Sequence, residues 1–459
     1  MAGSSLSGSS SSSSIQIMDL DPTWVSSLKE KMQAPPQLLK ESAGSISCSI
    51  YRVPECFREA DEKAYAPQTV SVGPYHRGKQ MLEALQEHKY RYLRGVRSRA
   101  GDNGLERCLM AIKELEQRAR DCYSENINLN SNEFVEMMVV DGCFILELLC
   151  KGFGLVDKTN DPLFTHCWLQ RKLQSDLLRL ENQIPFFVLE RLFDLMNLSL
   201  QTKDPLTRIV LKFFHEMVPG RRSMTTVESS PNTSTNPNHK TQHLLHLFHS
   251  SLLPDIQGKK LKYKAQKTIT PHSGPLKLFP SVTKLTEAGV VFKASHANSF
   301  LDIKFRQGVV EIPPLSMEDE TNSLFLNLLV FEQCYSHCRS HITAYATFMD
   351  CLINSTEDVG ILCHNGILAN WLGGHEEVAD LFNKLGREVT INCDNFYLSD
   401  VFENLDQYYR IPWHAWRASL MHKYFNNPWA IISFVGAVIL LVLTSVQTFF
   451  TAYPCFHQP

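Results

Sequence analysis

Apolar positions along this chain fall into three patterns: one long unbroken run, several stripes at helical spacing, and one short alternation. The unbroken run is Trp429 to Tyr453, WAIISFVGAVILLVLTSVQTFFTAY, and it contains no Asp, Glu, Lys or Arg. About 20 apolar residues in a helix cross the ~30 Å hydrocarbon core of a bilayer. Ile431 to Phe450 supplies that length. A lone segment in lipid satisfies its backbone only as a helix. A transmembrane helix is therefore predicted over 429–453, followed by a short tail, 454–459. Trp429 and Tyr453 stand at its two ends, where amphipathic rings favour the headgroup level. A second run, Met137 to Leu149, is shorter and carries Asp141 and Glu147, so it reads as a buried core helix.

The remaining elements follow from spacing. Asn132 or Ser131 caps a helix over Glu133–Cys150, and Gly152–Phe153–Gly154 reads as its terminating turn. A second helix runs from about His166 to Gln183, where Pro185 forces a break. The stretch from Leu177 to Phe193 is dense in large apolar groups and belongs deep in a core. Ser223 to Gln242 is polar, rich in Pro, Asn, Thr and Ser, and reads as a linker or long surface loop. Beyond it, Leu301, Ile303 and Phe305 alternate with Asp302 and Lys304, and Val309–Ile312 follows Gln307–Gly308. That is a β-hairpin signal, with Val290–Phe292 as a candidate third strand. From Asn322 to about Asn354 the helical period returns, with Leu324, Leu328, Phe331, Tyr335, Cys338 and Ile342 on one stripe. Two further helices are expected around Gly366–Trp371 and His375–Arg387. The fold class is mainly α with a small β-hairpin element (α+β): a large helical globular region plus one C-terminal transmembrane helix. The domains are a disordered Ser-rich tail over 1–45, a globular domain over 46–425 interrupted by the linker 223–242, the span and the short tail.

Composition refines this picture. With 459 residues, 44% apolar and 20% charged, the chain can bury a sizeable core. A net charge of −3 gives no argument for nucleic acid as a partner. Met1 to Ser14 is a serine run with no apolar segment, so it is no secretory signal. The 13 cysteines are odd in number and show no regular framework, which fits reduced thiols. Arg410, Arg417 and Lys423 precede the span and no Lys or Arg follows it. The positive-inside bias then predicts a single-pass protein with its N-terminal region in the cytosol, on the plasma membrane or an endomembrane. The late position of the span adds tail-anchored insertion as an expectation. The sequons at Asn197, Asn232 and Asn354 would carry sugar only in a lumen, so they test that orientation. Trp413, Trp416, Leu420 and Tyr424 share a helical face, either interfacial or core-packing.

Candidate chemistry is sparse. Cys334, His337, Cys338 and His341 look like a metal set on adjacent turns of one helix. Four ligands on one straight helix cannot surround a tetrahedral zinc, so two or three at most would bind, helped by Cys363 or His364, and core packing is the leading reading. His243, His246 and His249 read as the polar face of an amphipathic helix. His88, Lys89, Arg91, Arg94, Arg97 and Arg99 read as a solvated face, and Lys259, Lys260, Lys262, Lys264 and Lys267 as a solvated loop, with anionic lipid second. Asp141, Asp176, Arg179, Glu181, Glu190 and Arg191 sit inside apolar segments, so those that are buried must be paired. A polar network built on Asp141, Asp176, Arg179 and Glu181 is the first expectation, and a ligand pocket the second. No phosphate-binding loop, zinc-protease motif, nucleophile elbow or kinase signature is present. No cofactor is called for.

Several separated motifs carry a resemblance. They are Val72-Gly-Pro-Tyr-His76, Met138-Val-Val-Asp-Gly-Cys-Phe144 with Leu146-Glu147, Asp176-Leu-Leu-Arg-Leu-Glu-Asn-Gln-Ile-Pro185, Ala288-Gly-Val-Val-Phe292, and Tyr408-Tyr-Arg410 before the span. Together they resemble the plant family catalogued as domain of unknown function 247, also called the UPF0481 proteins. The resemblance implies a largely helical domain with a C-terminal anchor and supplies no catalytic residues. Some grass relatives are associated with pollen–stigma self-incompatibility, which makes recognition a function class to expect. The leading expectation is a membrane-anchored recognition or signalling protein that binds another protein. The alternatives are a tethered enzyme with an unrecognised active site, built around Asp141, Arg179 and Glu181, and a structural scaffold.

Overall fold

The computed structural model describes residues 21–33, 39–59, 61–101, 103–196, 202, 204–220, 240–253, 279–386, 389–391, 396–413, 416 and 428–456. Most of the linker 223–242, all five lysines of the 259–267 stretch, Leu420 and Tyr424 lie outside these residues. In chain order the main helices of the first half are α1 (Pro22–Gln33), α2 (Gln86–Ala100), α3 (Gly104–Glu114), α4 (Ser131–Phe153), α5 (Cys167–Leu177), α6 (Phe186–Leu195) and α7 (Leu206–Phe213). The second half holds α8 (Leu244–Leu252), strands β1 (Val291–Ala294), β2 (Lys304–Arg306), β3 (Val309–Ile312) and β4 (Leu315–Met317), then α9 (Asp319–Cys334), α10 (His341–Leu352), α11 (Thr356–His364), β5 (Leu368–Asn370), α12 (His375–Leu385), α13 (Ser399–Tyr409) and α14 (Pro428–Phe456). The class is α+β, as the sequence indicates.

The tail expected over 1–45 needs correction where it is described. Pro22–Gln33 is helical, and a short 3₁₀ turn covers Glu41–Gly44.

Helix α4 is the central pillar. It is buried from Met137 to Cys150, and α2, α3, α6 and α7 pack around it. Its N-cap is Asn130, just before the two residues expected. The Asn130 Oδ1 accepts from Glu133 N–H at 3.0 Å and Glu133 Oε2 accepts from Asn130 N–H at 3.0 Å. This reciprocal pair satisfies two orphan donors of the first turn. Gly154 ends the helix with φ +88°, the left-handed conformation glycine adopts without cost.

Helix α5 stops at Leu177, well short of the expected Gln183. The reason is local. Asn182 Nδ2 donates to Asp176 O at 2.9 Å, and Gln183 Nε2 donates to Leu177 O and Arg179 O, each at 2.8 Å. These amides take carbonyls that a continuing helix would use, so the chain turns instead.

The hairpin forms as its alternation indicates, pairing Phe305 with Val310 across the turn Gln307–Gly308. Both turn residues have positive φ, 50° and 82°, as a tight two-residue hairpin requires. β1 joins β3 in parallel, giving the order β1-β3-β2. Two features differ from expectation. Gly366–Trp371 is no helix: Gly366, at φ +69°, closes α11, and Leu368–Asn370 pairs in parallel with β4. Three residues are too short for periodicity to register. The stripe from Asn322 to Asn354 is two helices, broken at Tyr335–Ser340. Tyr335 and Ile342 are buried on either side of the break, so the apolar spacing carries across it unaltered.

One apolar cluster runs from Ala43 to Leu405 and draws on both halves. Helix α14 stands apart from it. Over Ile432–Phe449 it is long and apolar enough to cross a membrane, and none of that stretch is buried in the protein.

Replacing Asn130 by Ala removes the reciprocal cap of α4. The expected loss is about 1 kcal/mol, seen as a lower midpoint in thermal unfolding followed by near-UV circular dichroism.

Candidate functional site

The segment Asp176–Gln183 presents five polar side chains inside the core, all essentially free of solvent: Asp176, Arg179, Glu181, Asn182 and Gln183. Facing it runs an extended stretch around Gln68–Gly73 with no strand partner among the described residues. The side chains serve that backbone in place of a sheet. Asp176 accepts from the N–H groups of Gln68 (2.9 Å), Thr69 (2.7 Å) and Val70 (3.0 Å), and from the Thr69 hydroxyl (2.6 Å). Asn182 Oδ1 accepts from Val72 N–H at 2.6 Å, and its Nδ2 donates to Val70 O at 3.1 Å. Asp141, reaching in from α4, accepts from Gly73 N–H at 2.9 Å.

Each charge is also matched. Arg179 donates to Asp176 at 3.1 Å and to the carbonyls of Lys63 (2.8 Å) and Ala64 (2.7 Å). Lys89 bridges Asp141 and Ser71 O, each at 2.5 Å. Glu181 accepts from Val53 N–H at 2.7 Å, pairs with Arg58, and lies 2.8 Å from His76 Nε2. Burial pushes the Glu181 carboxyl up, but its bonds from His76 and Arg58 outweigh that, and the net shift is down. Burial holds His76 below its ordinary value. The four expected network residues thus form three linked clamps. Sequence spacing did not single out their partners Arg58, His76 and Asn182. Lys89, expected on a solvated face, is buried. Its neighbours Arg91 and Arg99 pair with Asp161 and Glu147, while Arg94 and Arg97 are exposed as expected, so α2 carries both ion pairs and a solvated edge.

The histidines of α8 also need correction. His243 and His249 are fully buried, facing the core rather than water. His243 lies with Nε2 3.1 Å from Ser49 O, and its Nδ1 accepts from His246 N–H at 3.2 Å. His249 Nε2 is 2.6 Å from Glu332, which also accepts from Ile342 N–H (3.0 Å) and from Thr343 N–H and hydroxyl (both 2.7 Å). Glu332 therefore caps α10, the job of an anion at a helix N-terminus. Leu244, Leu245 and Leu247 sit on the same short helix and are buried with His249, so its wet side falls at Ser250 instead.

The candidate metal set does not assemble. Cys334 ends α9, His341 starts α10, and His337 and Cys338 lie in the break between them. His341 stacks on Tyr397 with centroids 4.7 Å apart, and the Cys338 thiol donates to Tyr335 O at 3.0 Å. Among the described residues no group of three or more His, Cys, Asp or Glu could hold a metal ion. The eleven cysteines placed between Cys48 and Cys363 are free thiols.

Open space lies elsewhere. A cleft of about 810 Å³ opens between the turn His215–Gly220, the loop Ser295–Phe300 and the approach to α9. None of Asp141, Asp176, Arg179 or Glu181 lines it. Two ion pairs join the chain halves at its edge, Arg171 with Glu318 and Lys172 with Glu320. Of the anchor residues, Trp429 is exposed in the first turn of α14, and Ile431, Phe450 and Tyr453 fall within that helix.

The family described as "Plant protein of unknown function", DUF247, matches residues 50–443. The chain belongs to this family. It is similar to UPF0481 protein At3g47200 of Arabidopsis thaliana, 33% identical over 90% of this chain and 88% of that one. It is also similar to Putative UPF0481 protein At3g02645 of the same plant, 23% identical over 94% of this chain and 95% of the relative. No solved structure matches. The DUF247 match takes in every clamp residue and the first half of α14.

Two outcomes follow for this DUF247 chain. Changing Lys89 to Met leaves Asp141 charged and buried, with an expected loss on the order of 3–5 kcal/mol. Adding Asp141→Asn should recover part of that loss in the same thermal melt. The second outcome concerns acid. Burial holds His243 well below its ordinary 6.5 and lowers His341 to about 4. Unfolded, these histidines bind protons below pH 6.5; folded, they do not. Their contribution is complete above 6.5 and shrinks as pH falls from there toward 4. The lowered Glu181 adds a loss on the same side, starting near its ordinary 4.5. The melting midpoint should fall steadily from pH 7 to pH 4.5. A midpoint that stays flat contradicts the buried neutral histidines.

Proposed function

We propose that this DUF247 chain is a module tethered to a membrane by α14, with a globular unit that acts by binding another protein. The observation that carries the tether is the exposed, uncharged surface of α14 from Ile432 to Phe449. Burying apolar surface gains roughly 25 cal/mol per Å², and a lipid bilayer is the solvent that fits a helix of this length. Arg410, Arg417 and Lys423 flank the helix on its N-terminal side, which favours a cytosolic globular unit.

Protein binding is favoured over catalysis by where the charges are. Asp141, Asp176, Glu181 and Glu332 each hold backbone N–H groups, so none is left to act as acid or base on a substrate. A tether also concentrates the unit at its surface, so modest contacts suffice for association.

The test is fractionation. The full-length chain should pellet with membranes, resist carbonate at high pH and dissolve in detergent, while a chain ending at residue 427 should move to the supernatant. Full-length protein found in the supernatant without detergent ends the tether reading. Sugar on the exposed Asn354 would reverse the orientation. Affinity purification from detergent-solubilised membranes should recover a reproducible protein partner, and its failure counts against the binding reading.

A further inference from the structure

The cleft beside Arg171 borders one backbone position of β4 that no strand uses, Ser316, next to Pro314, whose carbonyl packs against Gly220. β4 and β5 form a two-stranded parallel ladder in which Leu315 pairs with Leu368 and Met317 with Asn370. Leu315 N–H donates to Ile367 O at 2.8 Å, and Met317 O accepts from Trp371 N–H at 3.0 Å. In a parallel ladder alternate residues of a strand bond the same neighbour. Leu315 and Met317 face β5, so Ser316 turns its N–H and C=O the other way. That side is the cleft, which Ser316 lines. Among the described residues no strand pairs there.

The walls select what could. Leu252, Phe300 and Leu324 give the cleft an apolar floor, while Glu216, Glu318 and Glu320 supply acidic groups. Arg171 and Lys172 neutralise the last two. Glu216 is exposed and has no ion pair among the described residues. A volume of about 810 Å³ accommodates a few residues of extended chain.

We propose that this cleft receives an extended, cationic peptide segment of a partner protein, added to β4 as a further strand. The reading rests on the protein-binding function above and names the kind of partner. Strand addition uses backbone bonds for affinity and alternate side chains for specificity. The segment's backbone pairs with Ser316. Its side chains alternate, an apolar one entering the floor and a Lys or Arg meeting Glu216.

The experiment uses full-length protein in detergent micelles, panned against a phage-displayed random heptapeptide library. Enriched peptides are synthesised with a fluorescent label and titrated by anisotropy. They should alternate apolar residues with Lys or Arg. Ser316→Pro removes the edge N–H without touching the β5 side, and should weaken binding about tenfold, the worth of one lost backbone bond. Ser316→Ala keeps the N–H and should bind as wild type. Glu216→Lys should weaken binding about two- to fivefold, less so at high salt. Melting midpoints of all three variants report whether the fold is intact, and Glu216→Lys tests the cleft even if the proline variant does not fold. Acidic consensus peptides, no enrichment, or peptides indifferent to both Ser316→Pro and Glu216→Lys would overturn the proposal. A membrane partner that is recovered but binds these variants unchanged refutes the cleft while leaving the tethered binding module standing.

Discussion

Buried backbone must be hydrogen-bonded, and in this protein a stretch of extended chain meets that demand without a sheet. Residues 70–73 run through the core from a wetter start at Gln68, and the N–H groups of Gln68, Thr69, Val70, Val72 and Gly73 end on Asp176, Asn182 and Asp141 rather than on another strand. Burying a carboxylate costs several kcal/mol even after relaxation. Asp176 offsets this with four donors from Gln68, Thr69 and Val70 and a fifth from Arg179. Charge-assisted bonds of this kind are roughly twice as strong as neutral ones. The position is also sterically closed: Gly73 has φ +73°, and a Cβ there would lie 2.5 Å from Gln183 O. Only glycine lets the extended stretch pass that close to the turn that holds it.

The same turn joins the two halves of the chain. Leu180 N–H donates to Asn327 of α9 at 2.9 Å, and Asn327 in turn donates to Ala64 O at 2.9 Å. Gln183 accepts from Leu245 N–H of α8 at 3.2 Å. His243 reaches back to Ser49 O, and His249 reaches Glu332. The polar linker in the sequence therefore separates segments that share one polar network as well as one apolar core. Removing any central partner strands groups on both sides.

Sequence legibility followed length and regularity. Helix α4 and the hairpin were readable because each repeats its period several times within one element. β5 was not, since three residues carry no period. The break between α9 and α10 was invisible because buried residues resume in phase after it. Among the candidate site residues, apolar surroundings marked Asp141, Asp176, Arg179 and Glu181 as buried. Their partners were hidden for two reasons. Arg58, His76 and Lys89 lie about 50 to 120 residues away in sequence. Lys89 also sits on a helix whose charge pattern is that of a wet face. His243 and His249 misled in the same way, because a polar residue next to leucines on a short helix has two possible sides. The tertiary neighbour decides between them, here Ser49 and Glu332.

Two parts of this molecule, one outside the core and one inside it, set demands on its surroundings. Helix α14 carries no charge from Ile432 to Phe449 and is exposed there, a surface suited to an apolar solvent. The interior makes an independent argument. His243, His76 and His341 are held below their ordinary titration range by burial. An interior built on neutral imidazoles is most stable where imidazole is neutral anyway, above about pH 6.5. An acidic compartment would pull protons toward groups with no room for the charge.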